Sequence, residues 1–285
     1  MDTTGSDATA APVLILETLD SIAVFDIRSG SLTSHVARPD VPQINDVEVT
    51  ADSIWVTDHD NAAVLRLHPE TGKTLARVEL DGRAVSLTET DEGVWAGSGH
   101  VFPESVSLID PQSDAIAREL EVGAYPTYAL GSLWFGRNEL RMGAAVRRID
   151  PVTGEVVASI KMAPGQQGCY VAGSFPDVVW SWCLEYWDDT DPVRLDLAAN
   201  TTVGTVELGS GGGLMGVSSD FSWFEADYGK EDESDYPLRL IRVDNATNAI
   251  DRVYENALIV AMGHESLWTV NRETGELRRI PLGEL

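Results

Sequence analysis

The chain has 285 residues, of which 43% are hydrophobic and 23% charged, so it can bury a sizeable core and is not disordered by composition. Its 46 Asp and Glu against 20 Lys and Arg leave a formal charge of −26. That balance excludes nucleic-acid binding, which needs Lys and Arg to displace phosphate counterions, and it suits a monomer that repels its own copies.

No stretch approaches the ~20 apolar residues of a membrane span, so no membrane insertion is expected. Residues 1–12, MDTTGSDATAAP, are small and polar and read as a disordered tail or tether ahead of a single domain over 13–285. The run has neither the basic start nor the apolar stretch of a secretory signal. Two homes follow: secreted or tethered at the cell surface with a signal already removed, or cytoplasmic. The acidic, Thr/Ser/Asp-led start favours export.

From Val13 onward a repeat organises the chain. Trp55, Trp95, Trp134, Trp180, Trp223 and Trp268 recur at intervals of 39 to 46 residues, in the runs SIWVT, GVWAG, SLWFG, VVWSW, FSWFE and SLWTV. A second run follows, such as AVLRLHP, SVSLIDP or AVRRIDP, then a turn such as PETGK, PQSD or PVTGE, then a third run such as TLARVEL. A fourth, flatter run leads back to the next Trp. Short runs with period-two alternation between Gly, Pro, Asn and Asp turns are strands of half-buried antiparallel sheets. Four of them in ~40–45 residues describe one blade.

The stretch VLILETLDSIAVFDIRSGSLTSHV repeats this layout without a Trp, with Ile15 near its place. The expected fold is all-β: a seven-bladed β-propeller of four-stranded antiparallel blades. Its end blades are expected to be incomplete, the first without an innermost strand and the last stopping after its third.

The unit (L/I)W…Vxx(I/L)DPxTGxxxxxI, seen in SLWFG and AVRRIDPVTGEVVASI, resembles the YVTN-type and streptogramin-lyase-like (virginiamycin B lyase-like) seven-bladed propellers, from about Val13 to Leu282. The resemblance implies a metal-dependent lyase or hydrolase, with a divalent ion and a His/Glu pair at the channel mouth. In those lyases the repeat often reads L-W-F-T-E, with a carboxylate three residues after the Trp. Here that place holds Asp58, Ser98, Arg137, Cys183, Ala226 and Asn271, so only Asp58 keeps the acid. The other reading is a binding or scaffold module for a small molecule or protein partner. It needs no catalytic residues, and no G-x-S-x-G elbow, H-E-x-x-H or P-loop occurs.

In a propeller, the loops entering the innermost strand and those joining the second and third strands share one face, here called upper. The register puts Arg83 and Tyr125 on entry loops, and Arg137, Glu139, Tyr186, Trp187 and Asn271 on the other set, as candidate ligand-binding residues. Tyr186 and Trp187 offer a flat apolar wall, and Arg83 and Arg137 a positive charge for a carboxylate or other anion. Asp58, His59 and His100 fall on one loop of adjacent blades and are a candidate site for a divalent ion such as Mg²⁺ or Ca²⁺. The competing reading is two exposed loop histidines beside carboxylates. Cys169 and Cys183 flank the Ser174-Phe175-Pro176-Asp177 turn and fall opposite each other if the arms pair. They are then in reach of a disulfide, the alternative being two buried thiols.

Overall fold

The period-two runs become hairpins. The computed structural model describes residues 13–17, 21–26, 32–37, 39–50, 52–99, 104–123, 125–137, 145–162, 167–175, 178–185, 188–189, 191–208, 212–217, 220–226, 239–255, 257–262, 266–271 and 277–281. The proposed tail, residues 1–12, lies outside them.

Seven antiparallel sheets follow one another among the described residues. The first holds β1 (Val13–Glu17), β2 (Ser21–Asp26) and β3 (Leu32–Ala37). The second holds β4 (Val47–Val49), β5 (Ile54–Asp58), β6 (Ala63–Leu67) and β7 (Thr74–Glu79). The third holds β8 (Arg83–Thr90), β9 (Gly93–Gly99), β10 (Ser105–Asp110) and β11 (Ala115–Leu120). The fourth holds β12 (Thr127–Ala129), β13 (Ser132–Arg137), β14 (Ala145–Ile149) and β15 (Val156–Lys161).

In the fifth, β16 (Gln167–Phe175), β17 (Val178–Glu185), β19 (Val193–Asp196) and β20 (Thr201–Thr205) are joined by the short β18 (Asp188–Asp189). The sixth holds β21 (Gly212–Val217), β22 (Phe221–Ala226), β23 (Arg239–Asp244) and β24 (Ile250–Glu255). The seventh holds β25 (Ala257–Met262), β26 (Ser266–Asn271) and β27 (Leu277–Pro281). Innermost strands of successive sheets lie side by side, and β1 meets β25. The ring is a β-propeller.

Bulges fix the register of the end blades. Between the third and fourth strands of the complete blades the register slips at Arg66/Leu67, Leu108/Ile109, Arg148/Ile149, Arg194/Leu195 and Arg242/Val243. In the first blade the same slip falls between β2 and β3, at Val24/Phe25. Strands β1 to β3 are therefore a second, third and fourth strand, and Ile15, paired with Val24, stands where Trp55 pairs with Arg66. In the seventh blade the slip falls at Ile259/Ala261 between β25 and β26, as it does between the first two strands at Ala84/Ser86 and Leu214/Gly216. That blade shows no fourth strand among the described residues.

The repeated tryptophans fill the wedges between blades. Trp55, Trp95, Trp134, Trp180 and Trp223 are wholly buried, and the side chain of Trp268 lies outside the described residues. Trp55 packs on Ala84, Leu87 and Ile109 of the next blade, and Trp95 on Leu133, Phe135 and Ile149 of the one after. An arginine on the third strand, the cross-strand partner of the Trp, lies against the indole. Arg66 lies 5.6 Å from Trp55, Arg148 5.5 Å from Trp134 and Arg242 5.6 Å from Trp223. A serine two residues before the Trp orients it: Arg66 Nε donates to Ser53 Oγ at 2.6 Å, and Arg148 Nε to Ser132 Oγ at 2.8 Å. The Arg66 guanidinium also reaches Asp114 Oδ1 at 2.9 Å, and Arg194 reaches Asn248 Oδ1 at 3.1 Å, tying the second blade to a turn of the third and the fifth to a turn of the sixth.

Those lower-face turns explain the DPxTG motif. Asp150 Oδ1 accepts the N–H groups of Val152 and Thr153 at 2.8 and 2.9 Å, and Asp244 Oδ1 those of Ala246 and Thr247 at 2.9 and 2.8 Å. These bonds favour the charged form, so Asp150 and Asp244 are held below the usual carboxylate range. Four residues on, the chain turns left-handed at Gly72, Asp114, Gly154, Asn200 and Asn248, with φ between 53° and 72°. Only Gly, Asn and Asp adopt that conformation readily, which is why they stand there. Gly154→Ala is expected to lose about 1–2 kcal/mol in urea unfolding. Gly82→Ala, where an added methyl meets nothing nearer than Ser98 Cβ at 3.6 Å, should stay within about 0.5 kcal/mol of wild type.

Candidate functional site

The upper face is best described over the second and third blades. Residues 39–46 enter β4 and fold across the end of β5. Thr57 Oγ1 accepts the N–H groups of Asn45 and Asp46, both at 2.8 Å, and the His59 N–H donates to the carbonyl of Gln43 at 3.0 Å. The covering loop buries His59, whose Nδ1 lies 2.9 Å from Asp60 Oδ1. The picture of two exposed loop histidines therefore does not hold for His59; His100 lies outside the described residues.

Asp58 is buried as well, and its oxygens are taken. Arg77 Nη1 donates to Asp58 Oδ2 at 2.5 Å, and Asn61 Nδ2 donates to Asp58 Oδ1 at 2.9 Å. Arg77 Nε also donates to Glu79 Oε1 at 2.6 Å, and the two carboxylates raise the arginine's pKa. Among the described residues no three His, Cys, Asp or Glu side chains are grouped to hold a metal ion.

The same place in other blades is also engaged within its own sheet. Ser98 Oγ lies 2.8 Å from Ser105 Oγ, which donates to Glu119 Oε1 at 3.1 Å. Cys183 is bonded to Cys169 with sulfurs 2.04 Å apart, and the two residues are direct partners on β16 and β17. The position three residues after the Trp thus holds an ion pair, a hydroxyl pair and a disulfide, all structural.

Of the candidate ligand residues, Arg83 opens β8 at the channel mouth and is exposed. Its guanidinium makes no hydrogen bond or ion pair among the described residues. Tyr125, on the next entry loop, is exposed too. Arg137 ends β13 opposite Ala145, and Asn271 ends β26 opposite Ala257, but their side chains lie outside the described residues. Glu139, Tyr186 and Trp187 lie outside them entirely.

Deeper in the channel wall is a group that the sequence did not mark as a set. Asp46 and Glu48 lie on the second blade and Glu89 on the third, and all three are raised above the usual carboxylate range, burial being the first cause of each. Glu48 is pushed up to about 8, first by burial and then by the charges of Asp46 and Glu89. Its side chain is half-buried.

No protein-family model matches the chain, and no curated protein is significantly similar to it in sequence. Solved structures are similar in fold. A chain of the Kuenenia stuttgartiensis hydrazine synthase superposes with TM-score 0.66 at 10% identity, over 93% of this chain and 90% of that one. A chain of the mitotic checkpoint complex gives 0.68 at 14%, over 95% and 84%. BamB from Moraxella catarrhalis gives 0.56 at 13%, over 95% and 82%. These are β-propellers, and so is this protein. At such identities the likeness establishes the fold and leaves the activity to the site.

Proposed function

We propose that the protein is an exported binding module whose upper face holds an anionic small molecule or the carboxylates of a partner protein at the channel mouth. Arg83 carries this reading. Other arginines are occupied by acids: Arg66 by Asp114, Arg77 by Asp58, Arg118 by Glu92 and Arg242 by Asp251. Arg83 is an exposed guanidinium at the mouth without such a partner among the described residues, in a chain where acids outnumber bases 46 to 20. A planar fork of donors suits a carboxylate. Tyr125, Arg137, Glu139, Tyr186, Trp187 and Asn271 complete the proposed rim.

The disulfide supports export, because such bonds persist in oxidising compartments. The likeness of the Trp spacing and DPxTG turns to YVTN-type and streptogramin-lyase-like propellers belongs to the same proposal. Lyase or hydrolase chemistry is disfavoured, since the one acid at the lyase carboxylate position, Asp58, is buried against Arg77.

Succinate and citrate serve as probes. They are expected to raise the Tm of the wild type, since a ligand of the native state stabilises it by mass action. Arg83→Ala should weaken binding by about tenfold or more, the worth of a hydrogen bond to a charged group. Trp187→Ala should weaken it through lost packing. Unchanged affinity in both variants would move the site elsewhere. A Tm rise with Mg²⁺ or Ca²⁺ that disappears in Asp58→Asn would favour the lyase reading instead.

A further inference from the structure

β20 differs from the outermost strands of the other complete blades. Each of β7, β11, β15 and β24 carries charge, through Arg77, Arg118, Lys161 and Arg252 among others. β20 reads TTVGT, and no charged residue stands anywhere from Leu197 to Val206. Like the others it ends its sheet, and it pairs on one side only, with β19. Open edges of this kind are ordinarily guarded by charged side chains, which keep a further strand from adding to them. Here Thr201, Thr202 and Val203 are all exposed, Val203 by 51%, and none of them supplies that guard.

Immediately ahead of the strand the chain reads Asn200-Thr201-Thr202, the N-x-T acceptor pattern for N-linked glycosylation. Asn200 closes the lower-face turn between β19 and β20 with φ 55°, after the exposed Ala198 and Ala199. It is half-buried, and its Oδ1 is turned inward without a hydrogen bond among the described residues. The Nδ2, which makes none there either, is the arm of the amide left to solvent. A second such pattern, Asn245-Ala246-Thr247, lies in the corresponding turn of the sixth blade. Asn245 is only 4% exposed, its Oδ1 accepts the Ser222 hydroxyl at 2.6 Å, and its N–H donates to the Asp220 carbonyl at 2.8 Å. The two patterns are alike in sequence and opposite in access.

We propose that Asn200 is an N-glycosylation site and that its glycan covers the open edge of β20. This rests on the export argued above, because the modification belongs to proteins leaving the cell. The step transfers an oligosaccharide from a lipid-phosphate carrier. A bond forms between Asn200 Nδ2 and C1 of the first sugar, and the bond from C1 to the carrier phosphate oxygen breaks. The phosphate leaves with the electron pair, and the amide gives up one proton. A bulky, solvated chain at the start of β20 then blocks the approach of a further strand, as charge does on the other blades.

The full chain is recovered from the medium and from the cells of its natural host. Peptides holding Asn200 and Asn245 are weighed by mass spectrometry before and after glycan release by an amidase in ¹⁸O-labelled water, which leaves a labelled aspartate wherever a sugar was. Extracellular protein is expected to carry the label at Asn200 and not at Asn245. Thr202→Ala should abolish it, Thr202→Ser should keep it, and Thr247→Ala should change nothing. Protein stripped of the glycan should scatter more light at high salt, where the repulsion of its −26 charge is screened, and Val203→Lys should cancel that rise. Bare Asn200 in extracellular protein, a label that survives Thr202→Ala or also marks Asn245, or release with no rise in scattering would overturn the proposal and leave the Arg83 site standing. A chain found only inside the cell with Asn200 bare would overturn export and glycan together, and citrate binding to Arg83→Ala still reads the ligand site separately.

Discussion

Trp180→Ala is expected to destabilise the protein by about 3–5 kcal/mol in urea unfolding, the range for deleting a large buried aromatic. The ring is fully buried between the fifth and sixth blades, against Val206, Leu208, Ile241 and Val243. It meets Phe224 edge-on with centroids 5.1 Å apart, an arrangement that adds to the simple burial of area. Its Nε1 donates to Ser222 Oγ at 2.7 Å, and that hydroxyl donates to Asn245 Oδ1 at 2.6 Å. Truncation therefore opens a cavity and removes one bond of a buried polar chain. Trp180→Phe fills most of the space but leaves Ser222 without its donor, so it should cost less than alanine and more than a surface change. Equal, small losses in both variants would mean that the wedge packing contributes little.

Loss of the Cys169–Cys183 bond should be nearly as costly. The bridge closes a loop with a sequence separation of 14 residues, for which restricting the unfolded chain is worth about 3 kcal/mol. Both cysteines are buried in the cluster that holds Trp134, Val171, Val179 and Leu195. A Cys169→Ser/Cys183→Ser double variant places two hydroxyls there, and burial without partners adds to the loss. Cys169→Ala/Cys183→Ala avoids that burden and isolates the cross-link. Denaturant midpoints with and without reductant should separate wild type by this amount and leave the double alanine variant unmoved. A wild-type midpoint indifferent to reductant, at a concentration shown by thiol titration to open the bond, would contradict the argument.

What the sequence revealed and what it hid divide along sequence distance. The disulfide was legible because a hairpin turn lies between the cysteines, so their opposition follows from local geometry. The blades were legible because Trp55, Trp95 and their successors recur in phase, and Ile15 could be placed by the same layout. The pairing of Arg66 with Trp55 was written in the chain but required the cross-strand register to be seen. His59 was expected on an exposed loop, and the fold covers it with residues 39–46, a contact no local pattern announces. Glu48 and Glu89 belong to neighbouring blades, and only the packing of one blade on the next lets their charges act on each other. The Tyr186-Trp187 pair lies outside the described residues, so its part in the rim rests on register alone.

The central claim is that the upper mouth, through Arg83, is where this propeller binds. It is tested most directly by titrating citrate into ¹⁵N-labelled protein and following both the Arg83 side-chain signal and the backbone amides. The account predicts saturable shifts at Arg83 and at the entry-loop amides of the third and fourth blades, with the lower-face turns at Asp150 and Asp244 unmoved, and loss of those shifts in Arg83→Ala. Shifts centred on the lower-face turns, or a wild-type pattern surviving in Arg83→Ala, would contradict it.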